Sequence, residues 1–415
     1  MEPTKYLVLL TDFYPYRKYE SFIKNEMEYL PGYFKGIFIF HQYKSIDPAE
    51  PIYKLPANVK SFPLHTELTI MDRFMSMRFL FTKTFWDEIK LLPAYGLKFS
   101  PRIAKILLVE LSHAGKCKKQ LENFLTENYL EHEDLIVYAY WTDYRAMTAA
   151  QMASEKNILA ISRAHNSDVY FERHFPPYLP FRKYLHDHLH AQYFVSENGC
   201  DYSLAKIPNT SETKYRVSKL GTEFFFRNPG TTEEEFIIAS CSRLSDVKRV
   251  HLITEIVQNL NFPVRWIHFG DGPLQKEFLR KTDQLFSGVK NIRFEFRGMV
   301  DNDTIYQFYS EQHVDLFLLT SEYEGIPVSI MEALSFGIPV MGTMVGGMDE
   351  IIDQSNGFSL PKNVVVKDAA AMIRNYFLSD RETKEKYRKN AFRTWQEKFN
   401  ATVNYPKFIE EILSL

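Results

Sequence analysis

Apolar residues in this chain fall into short unbroken runs, separated by longer stretches in which they recur every three or four positions. Residues 6–11 (YLVLLT), 34–42, 134–141 (DLIVYAYW), 158–162, 191–197 and 215–221 are runs of the first kind, and 235–243, 264–269, 292–296 and 314–320 repeat the pattern. Near-continuous apolar runs predict strands buried on both faces of a parallel sheet. The intervening stretches predict helices over 21–30, from 142 to 154, from 199, over 250–260 and 328–336, within 366–399, and over 405–413. Residues 68–125 read as mostly helical, and 45–66, which contain prolines, as irregular. Strand and helix alternate through both halves, which predicts α/β architecture with parallel sheets. A chain of 415 residues is long enough for two domains. The division is expected at 1–221 and 222–399, with a linker at 222–232 and a closing helix in 400–415.

The most informative stretch is 321–350, SEYEGIPVSIMEALSFGIPVMGTMVGGMDE. The apolar run 314–320 feeds a polar turn, Pro327 suits the first turn of a helix, and Gly337 ends it. Glu324 then lies at the carboxyl end of a strand, where open α/β sheets bind their ligands. The helix start, Gly325, Ile326, Val328 and Ser329, offers unpartnered N–H groups and a positive dipole end, which suits phosphate. Glu324 can accept bonds from sugar hydroxyls, and Glu332, two turns into the helix, from ribose hydroxyls. Taken alone, Glu332 reads more readily as a solvated helix position.

Three further features stand at strand ends. His165 follows the run 158–162, with Asp168 three residues on. Arg243 follows 235–242, and Lys248 comes five residues later, before a helix. An Arg can hold two phosphate oxygens and a Lys adds a point charge, although both also fit solvated loop positions. Asp301-Asn-Asp303 precedes a predicted helix and reads as a cap rather than a metal site.

Glu324, seven residues, Glu332, then Gly337-Ile-Pro339-Val340 and Gly346-Gly347-Met-Asp-Glu350 resemble the donor-binding segment of retaining glycosyltransferases of family 4. Phe336 stands where that family has a small residue. The resemblance implies the GT-B fold: two Rossmann-like domains with parallel sheets facing a cleft, the first binding an acceptor and the second a nucleotide-sugar. It implies that Glu324 contacts the donor sugar, Glu332 the ribose, and Arg243 and Lys248 the diphosphate. The backbone around Met299, in Arg297-Gly-Met-Val300, would pair with the base. His165, in Ser162-Arg-Ala-His165, would line the active site, as in bacterial polysaccharide-assembly members. The 16–20 loop lacks the glycine of the family's first loop. The implied reaction is metal-independent, with no cofactor beyond the nucleotide-sugar, and the acceptor is a glycan or a lipid-linked glycan. A nucleotide-sugar epimerase or hydrolase, or a non-catalytic donor-binding subunit, could use the same fold.

Composition narrows the setting. Hydrophobic residues make up 45% and charged residues 25%, as in globular proteins. No apolar run reaches the roughly 18 residues of a membrane span, and no basic leader precedes an apolar segment. Three cysteines are too few and scattered for a disulfide framework or a zinc site, so a cytoplasmic setting is expected. The net charge of −2 hides ten Lys+Arg against four Asp+Glu in residues 71–120. That region is either a helical cover with a solvated face or a surface for anionic lipid. No nucleic-acid recognition motif accompanies the charge.

Overall fold

The computed structural model describes residues 3–17, 20–42, 50–224, 227–229 and 235–415. The chain divides into one unit of Met1–Ser218 with Tyr405–Leu415, and a second of Lys219–Asn404.

The first unit contains β1 (Tyr6–Thr11), α1 (Ser21–Met27), β2 (Gly36–Gln42), β3 (Val59–Leu64), α2 (Ile70–Met75), α3 (Lys83–Leu91), α4 (Pro101–Glu127), β4 (Leu135–Ala139), α5 (Tyr144–Lys156), β5 (Leu159–Ala164), α6 (Arg182–His188), β6 (Ala191–Phe194), α7 (Glu197–Lys206) and β7 (Tyr215–Val217). The seven strands are ordered β3-β2-β1-β4-β5-β6-β7, every pair parallel. Strands β1, β4 and β6 are buried nearly end to end, which is why their sequences lack polar alternation. Helix α4 starts where Ser100 accepts from the Ile103 N–H at 3.3 Å, with Pro101 in its first turn. Its inner face, including Leu107, Leu111 and Leu121, joins the core. Each fully buried leucine of this kind is worth about 2–3 kcal/mol.

The second unit contains β8 (Phe236–Cys241), α8 (Val250–Gln258), β9 (Val264–Phe269), α9 (Gln275–Phe286), β10 (Ile292–Gly298), α10 (Asn302–Glu311), β11 (Leu316–Leu319), α11 (Val328–Ser335), β12 (Val340–Thr343), β13 (Gly357–Leu360), α12 (Val366–Leu378) and α13 (Arg381–Lys398), and the last helix, α14 (Ala401–Leu413), belongs to the first unit from Tyr405 onward. Its six parallel strands run β10-β9-β8-β11-β12-β13. Two parallel-sheet α/β units are what the strand and helix pattern predicts.

Several local expectations are corrected. Residues 59–64 form the edge strand β3 rather than irregular chain. Its Pro63 and exposed Lys60 are tolerated because an edge strand pairs on one side only; residues 43–49 lie outside the described residues. Helix α6 was not expected at all. The first helix stops at Met27 and is followed by a 3-10 turn at Leu30–Gly32. Strand β5 extends through Arg163, whose guanidinium meets Glu26 at 2.6 Å with both side chains fully buried. The same guanidinium donates to Ser218 Oγ at 2.7 Å and stacks over Phe408. The last helix begins at Ala401 and carries Pro406 inside it, so the proline punctuates less than its type suggests.

The expected linker is packed into the second unit at its described positions. Thr222 is fully buried and accepts from the Trp395 indole at 2.9 Å. The Asn228 amide donates to the carbonyls of Tyr309 and Gln312 and its oxygen accepts from the Val314 N–H. Residues 225–226 and 230–234 lie outside the described residues.

Candidate functional site

In the second unit the strand order reverses between β8 and β11. That reversal opens a crevice at the carboxyl ends of the two strands, the general ligand position of open α/β sheets. Arg243 and Lys248 lie on the loop after β8, and Glu324 on the loop after β11. The loops are tied by a bond from the Glu322 N–H to the Val247 carbonyl at 2.7 Å. Across them Lys248 Nζ meets Glu324 Oε1 at 2.5 Å. Glu324 is buried and Lys248 partly exposed, so each neutralises the other at the sheet's switch point.

A residue absent from the sequence reading holds this arrangement. Arg249, with φ of 45°, donates to the carbonyls of Thr320 at 2.8 Å, Ser321 at 3.0 Å and Lys362 at 2.9 Å. Thr320 Oγ1 donates back to the Arg249 carbonyl at 2.9 Å. Nothing local in the sequence separates Arg249 from a solvated helix-start cation.

Glycines account for how closely the neighbouring loops approach. A Cβ on Gly270 would lie 2.2 Å from the Ser242 carbonyl oxygen, and one on Gly272 2.3 Å from that of Leu244. The loop after β9 therefore lies directly against the backbone flanking Arg243, and the Leu244 N–H donates to the Asp271 carbonyl at 2.8 Å. The Gly270 N–H reaches the Gly298 carbonyl at 2.7 Å, next to exposed Met299. The Gly-Asp-Gly turn is thus a brace for the Arg243 loop.

Helix α11 begins after Pro327, which takes the capping position itself. Gly325, Ile326 and Pro327 are buried, and Val328 and Ser329 are half-buried. The Gly347 N–H donates to the Gly325 carbonyl at 3.0 Å. Glu332 is buried, which overturns its reading as a solvated position. Asn302 Nδ2 and the Tyr306 hydroxyl both donate to its Oε1, at 2.5 and 3.0 Å. Burial pushes its pKa up to about 7, and the two hydrogen bonds pull the other way. Burial pushes the pKa of the Cys241 thiol, at the end of β8, up to about 12, with the Glu332 charge acting the same way and the Lys248 charge opposing it. Asp301 stands at the capping position of α10, its carbonyl accepting from the Thr304 N–H at 3.0 Å. Phe336 fills the space beside Tyr306 and Tyr309, so the large residue there is part of the packing around Glu332. Among the described residues no three His, Cys, Asp or Glu side chains are grouped to hold a metal ion.

His165 stands in the first unit, just past β5. Asp168 accepts from the N–H groups of His165 and Thr142, each at 2.8 Å. The imidazole packs against Trp141 and Tyr140. Its Nε2 lies 3.1 Å from the Tyr140 carbonyl. A carbonyl only accepts, so Nε2 carries the proton and Nδ1 keeps the lone pair. Burial and the Arg163 charge push the ring's pKa down to about 3, so it stays neutral. Nearby, Glu20 accepts from the N–H groups of Asp12 (3.1 Å), Phe13 (2.5 Å) and Tyr14 (2.7 Å) and from the Trp141 indole (2.5 Å). In the sequence Glu20 only closes the 16–20 loop ahead of the first helix. Lys18 and Tyr19 of the expected 16–20 loop lie outside the described residues.

Residues 221–394 match the family model described as glycosyl transferases group 1. The chain is 29% identical over 156 residues to a sulfoquinovosyl transferase of Arabidopsis thaliana, covering 37% of this chain and 28% of that protein. It is 29% identical over 163 residues to the putative colanic acid biosynthesis glycosyltransferase WcaL of Escherichia coli, covering 36% and 39%. The chain spans less than half the length of these curated relatives. Among solved structures, Anabaena HepE in complex with UDP and glucose superposes with a TM-score of 0.65 at 14% identity, covering 99% of this chain and all of the other. Sucrose-phosphate synthase of Thermosynechococcus elongatus superposes with 0.73 at 13%, covering 99% and 98%. The chain has the GT-B fold, and its match to the glycosyl transferases group 1 model lies within the second unit.

Proposed function

We propose that this protein is a retaining, metal-independent glycosyltransferase. It would move a sugar from a nucleotide-sugar to a glycan or lipid-linked acceptor, in cytoplasmic assembly of cell-surface polysaccharide or glycolipid. The observation that carries the reading is the Lys248–Glu324 pair at the switch point of the second sheet, with buried Glu332 beside it. The group 1 match over 221–394, the polysaccharide role in the name of WcaL and the UDP in HepE support it.

In this reading the nucleotide-sugar displaces the internal ion pair. Arg243, Lys248 and the N–H groups of Val328 and Ser329 face the diphosphate, and Glu324 accepts from a donor-sugar hydroxyl. Glu332 accepts from ribose hydroxyls, and the backbone at Met299 meets the base. The bond between the anomeric carbon and the diphosphate oxygen breaks, and its electrons go to that oxygen. The acceptor hydroxyl oxygen bonds to the anomeric carbon on the same face, and its proton passes to the departing phosphate. Fixed positive charge stabilises the charge growing there. His165 offers Nδ1 as a hydrogen-bond acceptor for a sugar hydroxyl.

A thermal-shift screen of nucleotide-sugars, followed by product analysis with and without a glycan acceptor, tests the reading. A cognate donor at about 100 times its Kd stabilises by about 2.7 kcal/mol, and transfer requires the acceptor. Epimerised or hydrolysed sugar without acceptor, or stabilisation without any turnover, would replace it with the epimerase, hydrolase or donor-binding alternative.

A further inference from the structure

Helix α2 and the 3-10 turn that continues it, Ser76–Phe81, hold apolar side chains out to solvent. Phe81 is 90% exposed, Ile70 88% and Phe74 74%, with Met71, Met77 and Trp86 each at half or more. The backbone beneath them is held in place. Thr69 and Asp72 form a capping box, Lys116 pins Asp72 at 2.7 Å, and the Trp86 indole donates to the Leu80 carbonyl at 2.7 Å. Phe79 and Leu80 pack inward against the core, and Phe85 is fully buried. The apolar residues are therefore sorted, some inward and some outward, by a fixed scaffold. Isolated exposed apolar residues are ordinary, but a cluster of this size marks an interaction surface.

The charges around it choose the partner. Residues 70–105 hold seven Lys+Arg and three Asp+Glu. Glu88 is buried against the Tyr178 hydroxyl, Asp72 is taken by Lys116, and Asp87 lies between Lys83 and Lys90. Lys83 and Lys90 keep side chains 91% and 74% exposed, and Arg73 and Arg78 are exposed on the same segment. A second copy docking isologously would set these cations near their equivalents. We infer that this face seats the protein on an anionic lipid bilayer, the six apolar side chains entering the interface and Arg73, Arg78, Lys83 and Lys90 meeting lipid phosphates. Lys116 and Lys118, which sequence alone would include, are committed to Asp72 and Glu155. The inference is independent of sugar transfer, since its readout needs no turnover.

Flotation of the full chain with mixed phosphatidylcholine–phosphatidylglycerol vesicles, and with pure phosphatidylcholine, tests it. The protein floats with the anionic vesicles at low salt and is released as salt rises. Lys83→Glu with Lys90→Glu weakens partitioning by at least about fivefold per lysine, the equivalent of about 1 kcal/mol each. Phe74→Asp with Phe81→Asp abolishes flotation while the melting temperature stays unchanged, because both positions are exposed. Vesicles shift the tryptophan emission of the wild type to the blue, and Trp86→Phe removes that shift. A wild-type chain that stays in the soluble fraction with both vesicles overturns the inference, as does salt-insensitive binding equal on both. Self-association in sedimentation velocity that Phe74→Asp with Phe81→Asp removes, without flotation, assigns the face to a second copy instead.

Discussion

The rims of the two parallel sheets solve the same problem differently. In the second unit the loops at the carboxyl ends of β8 and β11 present groups that satisfy one another. Lys248 and Glu324 form one pair, which under the proposed function an incoming diphosphate and sugar would exchange for ligand contacts. In the first unit the equivalent reversal, between β1 and β4, is filled from within. Glu20 is 2% exposed and already accepts three backbone N–H groups and an indole, while Asp168 accepts two more. One rim is built of exchangeable partners and the other of fixed ones. Under the proposed function a fixed rim would leave recognition to its walls, here Trp141, Tyr140 and the lone pair of His165. Shared topology therefore fixes where a ligand can sit, and the way polar groups are satisfied fixes which of them a ligand can use.

The largest expected effect breaks the fixed rim. Glu20→Ala leaves three N–H groups and the Trp141 indole without their carboxylate. Unmet buried polar groups cost about 1–3 kcal/mol each, and relaxation and water recover part of that, so a loss of about 3–5 kcal/mol is expected in denaturant unfolding. A loss under about 1 kcal/mol would mean that the first rim is as exchangeable as the second.

The exchangeable rim gives the opposite signature. Arg243→Ala and Lys248→Ala each lower turnover about a hundredfold or more, the scale of removing one fixed charge-stabilising group. Arg243 is exposed on its loop, so Arg243→Ala changes the unfolding free energy by about 1 kcal/mol or less; Lys248→Ala costs more, because it leaves the buried Glu324 carboxylate without its partner. Near-normal turnover in either folded variant removes that residue from the diphosphate site.

These contrasts mark what the sequence could convey. The second rim was legible because its ingredients are close in sequence: Glu324, Glu332 and Pro339 on one strand–helix–strand passage, and Arg243 and Lys248 on one loop. The contacts among them were not, since Lys248 meets Glu324 across 76 positions and Asn302 meets Glu332 across 30. The role of Glu20 escaped because three of its donors lie six to eight residues upstream on its own β1–α1 connection, which must fold back on itself to reach it, and the fourth, Trp141, lies 121 positions away. Edge strand β3 escaped because an edge needs no continuous apolar run. The sorting of Phe74 and Phe81 outward and Phe79 inward escaped because the chain passes from an α-helix into a 3-10 turn at Ser76, and the period falls from 3.6 to about 3.0.

The pH response of Glu332 sharpens the comparison within the second unit. Its folded pKa of about 7 lies above the ordinary 4.5, so the folded chain holds the proton more tightly than the unfolded one. Its contribution to stability is fully present below pH 4.5 and is lost as pH rises through 7. The accumulated loss is about 3 kcal/mol, so Glu332→Gln gains on the wild type over that window. Nucleoside diphosphate affinity runs the other way, rising as the carboxylate ionises to accept ribose hydroxyls. Glu332→Ala lowers it about tenfold or more, from the loss of a charged hydrogen bond worth about 1.5–3 kcal/mol. Calorimetric titration at pH 5 and pH 8 checks both signs, and affinity independent of pH and of the substitution removes Glu332 from the nucleotide.

The smallest expected effect is also the most discriminating. Glu324→Gln and His165→Ala are both expected to impair transfer with nucleoside diphosphate affinity within about twofold, since the proposed function assigns each to the sugar rather than the nucleotide. For Glu324→Gln the amide keeps an oxygen acceptor but loses its charge toward Lys248, so the defect belongs in kcat. For His165 the tautomer makes a second demand. With Nε2–H held by the Tyr140 carbonyl and the ring's pKa near 3, the imidazole is neutral throughout the working range and acts only as an acceptor at Nδ1. The rate profile of the wild type should therefore carry no ionisation near 6.5 that His165→Ala removes. His165→Asn, which keeps an acceptor on a shorter side chain, should recover more transfer than His165→Ala. A large loss of nucleoside diphosphate affinity in either variant would move that residue to the nucleotide side. An ionisation near 6.5 that disappears with His165 would show the first rim exchanging protons, and so being less fixed than its hydrogen bonds imply.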